Sequence, residues 1–294
     1  MTDRVVVVGS LNADLAVPVA GLPAAGQTVA AVGEVRRGPG GKGANQAVGL
    51  ARLGRATAMV GAVGDDADGE MLRSTLAAEG VDLTHVTTAD VPSGMAVVLL
   101  HGGESTIVVA AGANGTVDGE RVRAAGAAVR AAAAVLTQCE VPDAALAAAA
   151  ELAGGLFVVN PAPARALPAA VLDRADLLVP NRGELATLAG ADEPADVDAV
   201  VDMARALRPT ATTVVTCGAD GAVVVEPDRV TAVPATPAEL VDATAAGDSF
   251  VAALVDAVLD GAGVPDAARW AARAAALTVT RLGAMAALPR RSEL

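Results

Sequence analysis

Short apolar runs alternate along this chain with longer stretches rich in alanine. Residues 5–8, 57–63, 135–137, 157–160, 177–179 and 213–216 are apolar without an in–out alternation. A strand covered on both faces has this pattern, whereas a half-exposed strand alternates. Between the runs lie helical stretches, each closed by a glycine: 68–79 before Gly80, 143–153 before Gly154 and 184–189 before Gly190. Glycine ends helices because it enters the left-handed region without a steric penalty. Buried strands separated by helices predict an α/β fold with a mostly parallel central sheet between two helical layers. Ligands of such sheets bind beyond the carboxyl ends of the strands. Asn12, Asn160 and Thr216 all fall at such ends.

Two segments break this rhythm. Residues 14–37 carry prolines, glycines and short β-like pieces. Residues 93–110 read as a hairpin: 94–100, the turn His101-Gly-Gly-Glu104, then 105–110. Together they predict a small sheet projecting from a single domain that spans residues 1–294. The alanine runs at 124–134 and 144–150 are helix formers, not disordered tracts.

Two loops carry the candidate chemistry. The first is Asp242-Ala-Thr244-Ala245-Ala246-Gly247-Asp248-Ser-Phe250, small residues that open a helix over 251–259. Amides at a helix start are unpaired and lie at the positive end of the helix dipole, so such a turn holds an anion. Asp248 sits in the same turn as a candidate general base. The amides of Ala245, Ala246 and Gly247 are the candidate cradle for phosphate charge. An ordinary acidic first turn would read the same way.

The second loop is Gly38-Pro-Gly40-Gly41-Lys42-Gly43-Ala44-Asn45-Gln46-Ala47, ahead of an apolar helix that ends at Leu53-Gly54. Four glycines in six residues let backbone approach a ligand closely. Lys42 is the only lysine in the chain, and Asn45 offers both a donor and an acceptor. The Walker spacing is absent.

These loops resemble the ribokinase branch of the carbohydrate and purine kinase family. The resemblance runs from Val8-Gly-Ser-Leu-Asn12-Ala-Asp14 to Val279-Thr-Arg281-Leu-Gly283. It takes in Gly61-Ala-Val-Gly-Asp65-Asp66, Gln138-Cys-Glu140, Asn160-Pro-Ala-Pro-Ala-Arg165, Pro180-Asn181-Arg-Gly-Glu184 and Thr216-Cys-Gly-Ala-Asp-Gly221. Each string is weak alone; their joint order over nearly the whole chain is specific.

The resemblance implies a ribokinase-like three-layer α/β/α domain with the small sheet as a lid. It also implies ATP as phosphoryl donor, Mg²⁺ as cofactor and a homodimer through the lid sheet. It assigns the sugar to Asn12, Asp14, Gly41, Lys42, Gly43, Ala44, Asn45 and Glu140, with Asp248 as base. Lys42 touching phosphate instead stays open. Asn181 and Glu184 would organise the Mg²⁺ and phosphate region, although an N-cap with a first-turn Glu looks identical. Thr216, Cys217, Gly218, Ala219, Asp220 and Gly221 would line the nucleotide with Gly247. A monovalent cation, K⁺, would sit at Asp242, Thr244, Thr278, Arg281 and Gly283. Two positions depart from the family pattern: Ala287 replaces a common serine near the cation, and Ala272 a common polar residue near the adenine.

Composition narrows the partners. The net charge of −13 and a pI of about 4.5 argue against nucleic acid or an anionic membrane. No leader pattern precedes the first strand, and two scattered cysteines, Cys139 and Cys217, suit a reducing cytoplasm. His85, after a helix, and His101, in the hairpin turn, are not expected in the chemistry. The only aromatics, Phe157, Phe250 and Trp270, lie in the second half of the chain. The lid and the glycine loop offer no ring on which a nucleoside base could stack. A small, hydroxyl-rich sugar fits better, with D-ribose phosphorylated at its 5-hydroxyl as the first choice. Fructokinase or deoxyribokinase activity is the nearest alternative. A non-catalytic sugar- or nucleotide-binding regulator is the alternative from another class.

Overall fold

Four consecutive valines set the architecture. In the computed structural model, which describes residues 4–102, 104–208 and 210–294, strand β1 (Arg4–Val8) is buried on both faces. Val5 and Val7 join one apolar cluster, and Val6 and Val8 join another on the opposite side. After β1 come β2 (Asn12–Pro18), β3 (Arg36–Gly40), α1 (Lys42–Arg52), β4 (Ala56–Gly64), α2 (Ala67–Ala78), β5 (Asp82–Ala89) and the hairpin β6 (Gly94–His101) and β7 (Glu104–Ala110). The middle of the chain forms α3 (Gly119–Ala124), α4 (Gly126–Ala131), β8 (Ala134–Gln138), α5 (Asp143–Leu152), β9 (Leu156–Asn160), α6 (Ala169–Arg174) and β10 (Leu177–Leu178). The remainder forms α7 (Arg182–Ala189), α8 (Val197–Leu207), β11 (Thr212–Thr216), β12 (Ala222–Val225), β13 (Val230–Val233), α9 (Ala246–Leu259) and α10 (Val264–Val279).

Nine strands form the central sheet in the order β13-β12-β11-β10-β9-β8-β1-β4-β5. Pairing is parallel from β5 to β11, and β12 and β13 form an antiparallel edge. The cluster with Val5 and Val7 packs α1, α2, α9 and α10; the cluster with Val6 and Val8 packs α3 to α6. Alanine and glycine let these helices come close. A Cβ on Gly49 of α1 would stand 2.9 Å from the Ala252 Cβ of α9. No helix among the described residues is long and apolar enough to cross a membrane.

The remaining four strands form a second sheet, β3-β2-β6-β7. It differs from the sequence expectation in extent. Most of residues 19–35 is irregular, apart from one bridge between Val19 and Ala31. The hairpin turn falls at 101–104 as expected, with Gly103 outside the described residues. The leader expectation at residues 1–3 also lies outside them. His85 lies within β5, whose Val86 and Ala89 are buried. Helix α9 starts at Ala246 rather than 251, so Asp248 belongs to its first turn.

Candidate active site

The turn before α9 holds strained backbone. Ala245 has φ 60°, the one non-glycine positive φ among the described residues. This left-handed residue costs an L-amino acid roughly 1–2 kcal/mol and aims the following amides outward. The Ala246 amide donates to the Ala243 carbonyl at 3.2 Å. The amides of Ala245, Gly247 and Asp248 find no acceptor among the described residues. A Cβ on Gly247 would meet nothing within 4 Å. The open donors of the turn are therefore those of Ala245, Gly247 and Asp248, and the Ala246 amide is spent internally.

Asp248 is buried, 6 % exposed, and both carboxylate oxygens are held by amides of α1. Asn45 Nδ2 donates to Oδ2 and Gln46 Nε2 to Oδ1, each at 2.9 Å. Each carboxylate oxygen can accept more than one hydrogen bond, so Asp248 can still receive a substrate proton. The Asn45 Oδ1 atom is buried without a partner. A hydroxyl donor entering the cavity would satisfy it, which lifts the cost of an unmade buried hydrogen bond.

The glycine loop has a different reason for its composition than ligand approach. A Cβ on Gly41 would lie 2.7 Å from the Asn12 amide, one on Gly43 2.5 Å from the Ser10 amide, and one on Gly40 would collide with the Asp14 carboxylate. Gly41 also has φ 90°. These glycines press α1 and β3 against the 9–14 segment. The Ala44 amide donates to the Ser10 carbonyl at 2.8 Å across that contact. The loop builds the pocket wall by packing against its own chain.

That contact gathers the acceptors of the site. Glu140 Oε2 receives the Ser10 hydroxyl at 2.5 Å, the Lys42 amide at 3.1 Å and Asn12 Nδ2 at 3.4 Å. Asn114 Nδ2 donates to Asn12 Oδ1 at 2.7 Å, and Asn114 Oδ1 accepts from the Leu11 amide. Burial pushes the Asp14 carboxyl up to about 7; nearby Glu140 and Asp248 add to the rise, and Lys42 opposes it. Burial works against the Lys42 charge, but Asp248, Glu140, Glu184 and Asp14 outweigh it, and its pKa lies above the ordinary lysine value.

A cavity of about 710 Å³ joins these groups. Asn12, Asp14, Gly41, Lys42, Asn45 and Glu140 line it together with Asn181, Glu184, Thr216, Asp242, Thr244 and Asp248. Gly43 and Ala44 lie behind this wall. Asn181 is the N-cap of α7 and Glu184 its reciprocal partner. The Asn181 side chain accepts from the Glu184 amide, and the Glu184 carboxylate from the Asn181 amide, each at 2.8 Å. The plainer reading of that motif is thus present, yet both residues also line the cavity. Burial raises the Glu184 pKa. Only Thr216 of the 216–221 string lines the cavity. Cys217, Gly218, Ala219, Asp220 and Gly221 form the tight turn between β11 and β12, with the Cys217 amide donating to the Gly221 carbonyl at 2.7 Å. Arg182 Nη2 ties that turn to α7 through Asp220 at 3.0 Å.

Asp242 anchors the 242–248 turn. Its Oδ1 accepts from the Thr244 amide at 2.9 Å and the Thr244 hydroxyl at 2.6 Å, and its Oδ2 from the Gly283 amide at 2.9 Å. Burial would raise its pKa, but these donors hold it below the usual carboxylate value. The Thr278 hydroxyl faces Ser249 Oγ at 2.8 Å, and Arg281 pairs with Glu293 at 2.6 Å. The Thr278 carbonyl accepts from the Arg281 amide at 3.1 Å, and neither residue is among those that line the cavity. Ala287 is fully buried, and Ala272 is 8 % exposed within the α10 packing.

Residues 2–291 match the model of the pfkB family carbohydrate kinases. The chain belongs to that family. A ribokinase of Haemophilus influenzae is 34% identical over 300 residues, covering 100% of this chain and 97% of that protein. A ribokinase of Bacillus subtilis is 35% identical over 295 residues, covering 99% and 98%. The solved structure of Arabidopsis thaliana ribokinase complexed with ribose and ATP is 32% identical, with a TM-score of 0.88 over 99% of this chain and 97% of that one.

A pfkB carbohydrate kinase moves a phosphoryl group onto a sugar hydroxyl, and the fold is ribokinase-like. Sequence reasoning placed Asn160 at a strand end where ligands bind, but did not assign Gln46, Gln138 or Asn114 a role in this pfkB site. Gln138 ends β8 and Asn160 ends β9. A polar residue closing an otherwise apolar, fully buried run was the available signal.

Proposed function

We propose that this chain phosphorylates D-ribose at its 5-hydroxyl with ATP. One observation carries the reading: Asp248, fixed by two amides, stands beside open helix-start amides and shares a cavity with Asn12, Asp14 and Glu140. The Arabidopsis relative with ribose and ATP and the ribokinases of two bacteria support the choice of substrates.

The sugar lies against Asn12, Asp14, Asn45 and Glu140 with its reacting hydroxyl at Asp248. Asp248 accepts the proton as the oxygen attacks the γ-phosphorus, whose bond to the β,γ-bridging oxygen breaks and releases ADP. The amides of Ala245, Gly247 and Asp248 hold the charge that gathers on the phosphoryl oxygens. Such a transfer depends on positioning and charge stabilisation more than on a strong base. Leu240, Val241 and Leu282 give the cavity an apolar rim at the 242–248 turn, suited to the adenine.

Mg²⁺ binds through few carboxylates plus the substrate phosphates, and Glu184 with Asn181, both lining the cavity, would take that role. For K⁺ the available donors are hard oxygens: the Asp242 carboxylate, the Thr244 hydroxyl and carbonyls around Thr278, Arg281 and Gly283. They fit a monovalent cation, which when bound would fix the 242–248 turn. Ala287 adds no side-chain oxygen.

The small sheet acts as the lid. Ala96, Val98, Leu100, Ile107 and Val109 face the cavity. Leu15, Val17, Val97, Leu99 and Val108 share the opposite face by strand register, and Val108 is 63 % exposed. That outer apolar face pairs with a second copy in a homodimer. Free Cys139 and Cys217 suit a cytoplasmic enzyme. A panel of pentoses and hexoses with ATP, read by product mass, tests the acceptor. Ribose should give the highest kcat/KM. Preference for fructose or deoxyribose would replace it, and no phosphorylated sugar at all would leave a binding protein.

A further inference from the structure

Behind the base lies a run of buried side-chain amides. Gln46 is fully buried on α1, and all of its polar atoms are engaged. Its Nε2 donates to Asp248 Oδ1 and to Asn160 Oδ1, both at 2.9 Å. Its Oε1 accepts from Gln138 Nε2 at 2.5 Å. Asn160 Nδ2 in turn donates to the Val179 carbonyl at 2.8 Å.

The orientation of each amide is set by the next. If Gln46 flipped, its oxygen would oppose both the Asp248 carboxylate and Asn160 Oδ1. The Val179 carbonyl accepts only, so Asn160 must present its NH₂ there and its oxygen to Gln46. Gln138 must then donate to Gln46 Oε1, which leaves its own Oε1 buried without a partner. That oxygen fits because residue 9 is glycine: a Cβ there would stand 2.1 Å from it. An unmade buried hydrogen bond is costly. Here the arrangement keeps two amide donors on the base.

We infer that Gln46 is a positioning residue for the transfer, which with Gln138 and Asn160 holds the Asp248 carboxylate in the orientation that receives the substrate proton. Charged groups from the other elements also reach Asp248: Lys42 of α1, Asp14 of β2 and Glu184 of α7. Gln46 is distinguished from them by direct contact and by the lack of any opening to the sugar subsite, since it does not line the cavity. This inference rests on the reading of Asp248 as base.

Two near-isosteric variants test it, Gln46→Met and Gln46→Glu, each checked for an unchanged circular dichroism spectrum and a cooperative melt. Misplacing a reacting group by about 1 Å can cost on the order of 100-fold. Gln46→Met should therefore lower kcat by roughly 10- to 100-fold, with the ribose Kd by calorimetry within a factor of about three, because Asn12, Asp14, Asn45 and Glu140 are untouched. Gln46→Glu sets a carboxylate against a carboxylate, so its kcat should fall at least as far, again with the ribose Kd held. Wild-type kcat in either variant would overturn the inference, as would a ribose Kd that rises in step with the loss in kcat. A wild-type protein that phosphorylates no sugar would refute the functional reading, whereas a wild-type protein that phosphorylates ribose together with a Gln46→Met variant of equal kcat would refute the role of Gln46 alone.

Discussion

Asp14 is the carboxyl on which the pH dependence of sugar binding should turn. Its pKa of about 7 arises because burial and the nearby Glu140 and Asp248 disfavour its charge. A sugar hydroxyl donates to an ionised carboxylate and makes a stronger, charge-assisted hydrogen bond there. If only the ionised form binds, a change of one pH unit below the pKa alters its fraction by about tenfold. The KM for ribose should therefore be about tenfold higher at pH 6 than at pH 8. Asp14→Asn removes the titration and leaves a neutral amide. Losing a hydrogen bond to a charged group costs about 1.5–3 kcal/mol. At pH 8 its KM should exceed that of the wild type by about 10- to 100-fold, and it should no longer change with pH. The stability effect has the opposite direction. A folded-state pKa raised above 3.8 gives a contribution present at low pH and lost as pH rises through about 7. Without sugar, Asp14→Asn should thus melt higher than the wild type at pH 8. Initial rates with varied ribose from pH 6 to 8.5, with ATP saturating, make the test. A flat wild-type KM across that range, or an equal slope in Asp14→Asn, would refute the assignment of Asp14.

Asn45→Ala should weaken ribose binding by about 1–3 kcal/mol and also lower kcat, because the lost amide holds Asp248 Oδ2; a raised KM for ATP with ribose unaffected would reassign α1 to the nucleotide. Activation by K⁺ over Na⁺ should persist and fall mainly on kcat, with a lower K⁺ midpoint in Ala287→Ser. Titrating KCl at constant ionic strength checks this, and equal activity in zero and saturating K⁺ would remove the site. Val97→Lys combined with Val108→Lys should give a monomer by sedimentation, while a persistent dimer would place the interface elsewhere.

The fold was legible where burial is two-sided. The valines of 5–8 and the run at 213–216 read as parallel strands because nothing in them alternates. The second sheet was legible at its hairpin but not between 19 and 35, where prolines and glycines mark irregular chain as readily as short strands. The anion turn and Asp248 stood out because small residues opening a helix have a direct physical consequence. Which amides stay open did not, since that depends on the left-handed Ala245 and on the Ala243 carbonyl. The glycines of 40–43 were legible as close approach, but the partner is the chain's own 9–14 segment. The Gln46, Gln138 and Asn160 contacts escaped notice for a topological reason. They come from α1, β8 and β9, adjacent only once the parallel sheet is assembled.

The central claim is that Asp248 takes the proton from a ribose hydroxyl as the γ-phosphate of ATP is transferred to it. The direct measurement is single-turnover formation of phosphorylated ribose by wild type and Asp248→Asn, with the phosphorylated carbon assigned by NMR and binding of both substrates measured alongside. The account predicts ribose 5-phosphate from the wild type. It predicts that Asp248→Asn binds ribose and ATP but forms product about 10²- to 10⁴-fold more slowly, the usual contribution of a positioned general base. Near wild-type product formation by Asp248→Asn, or phosphate on another carbon of the sugar, would contradict it.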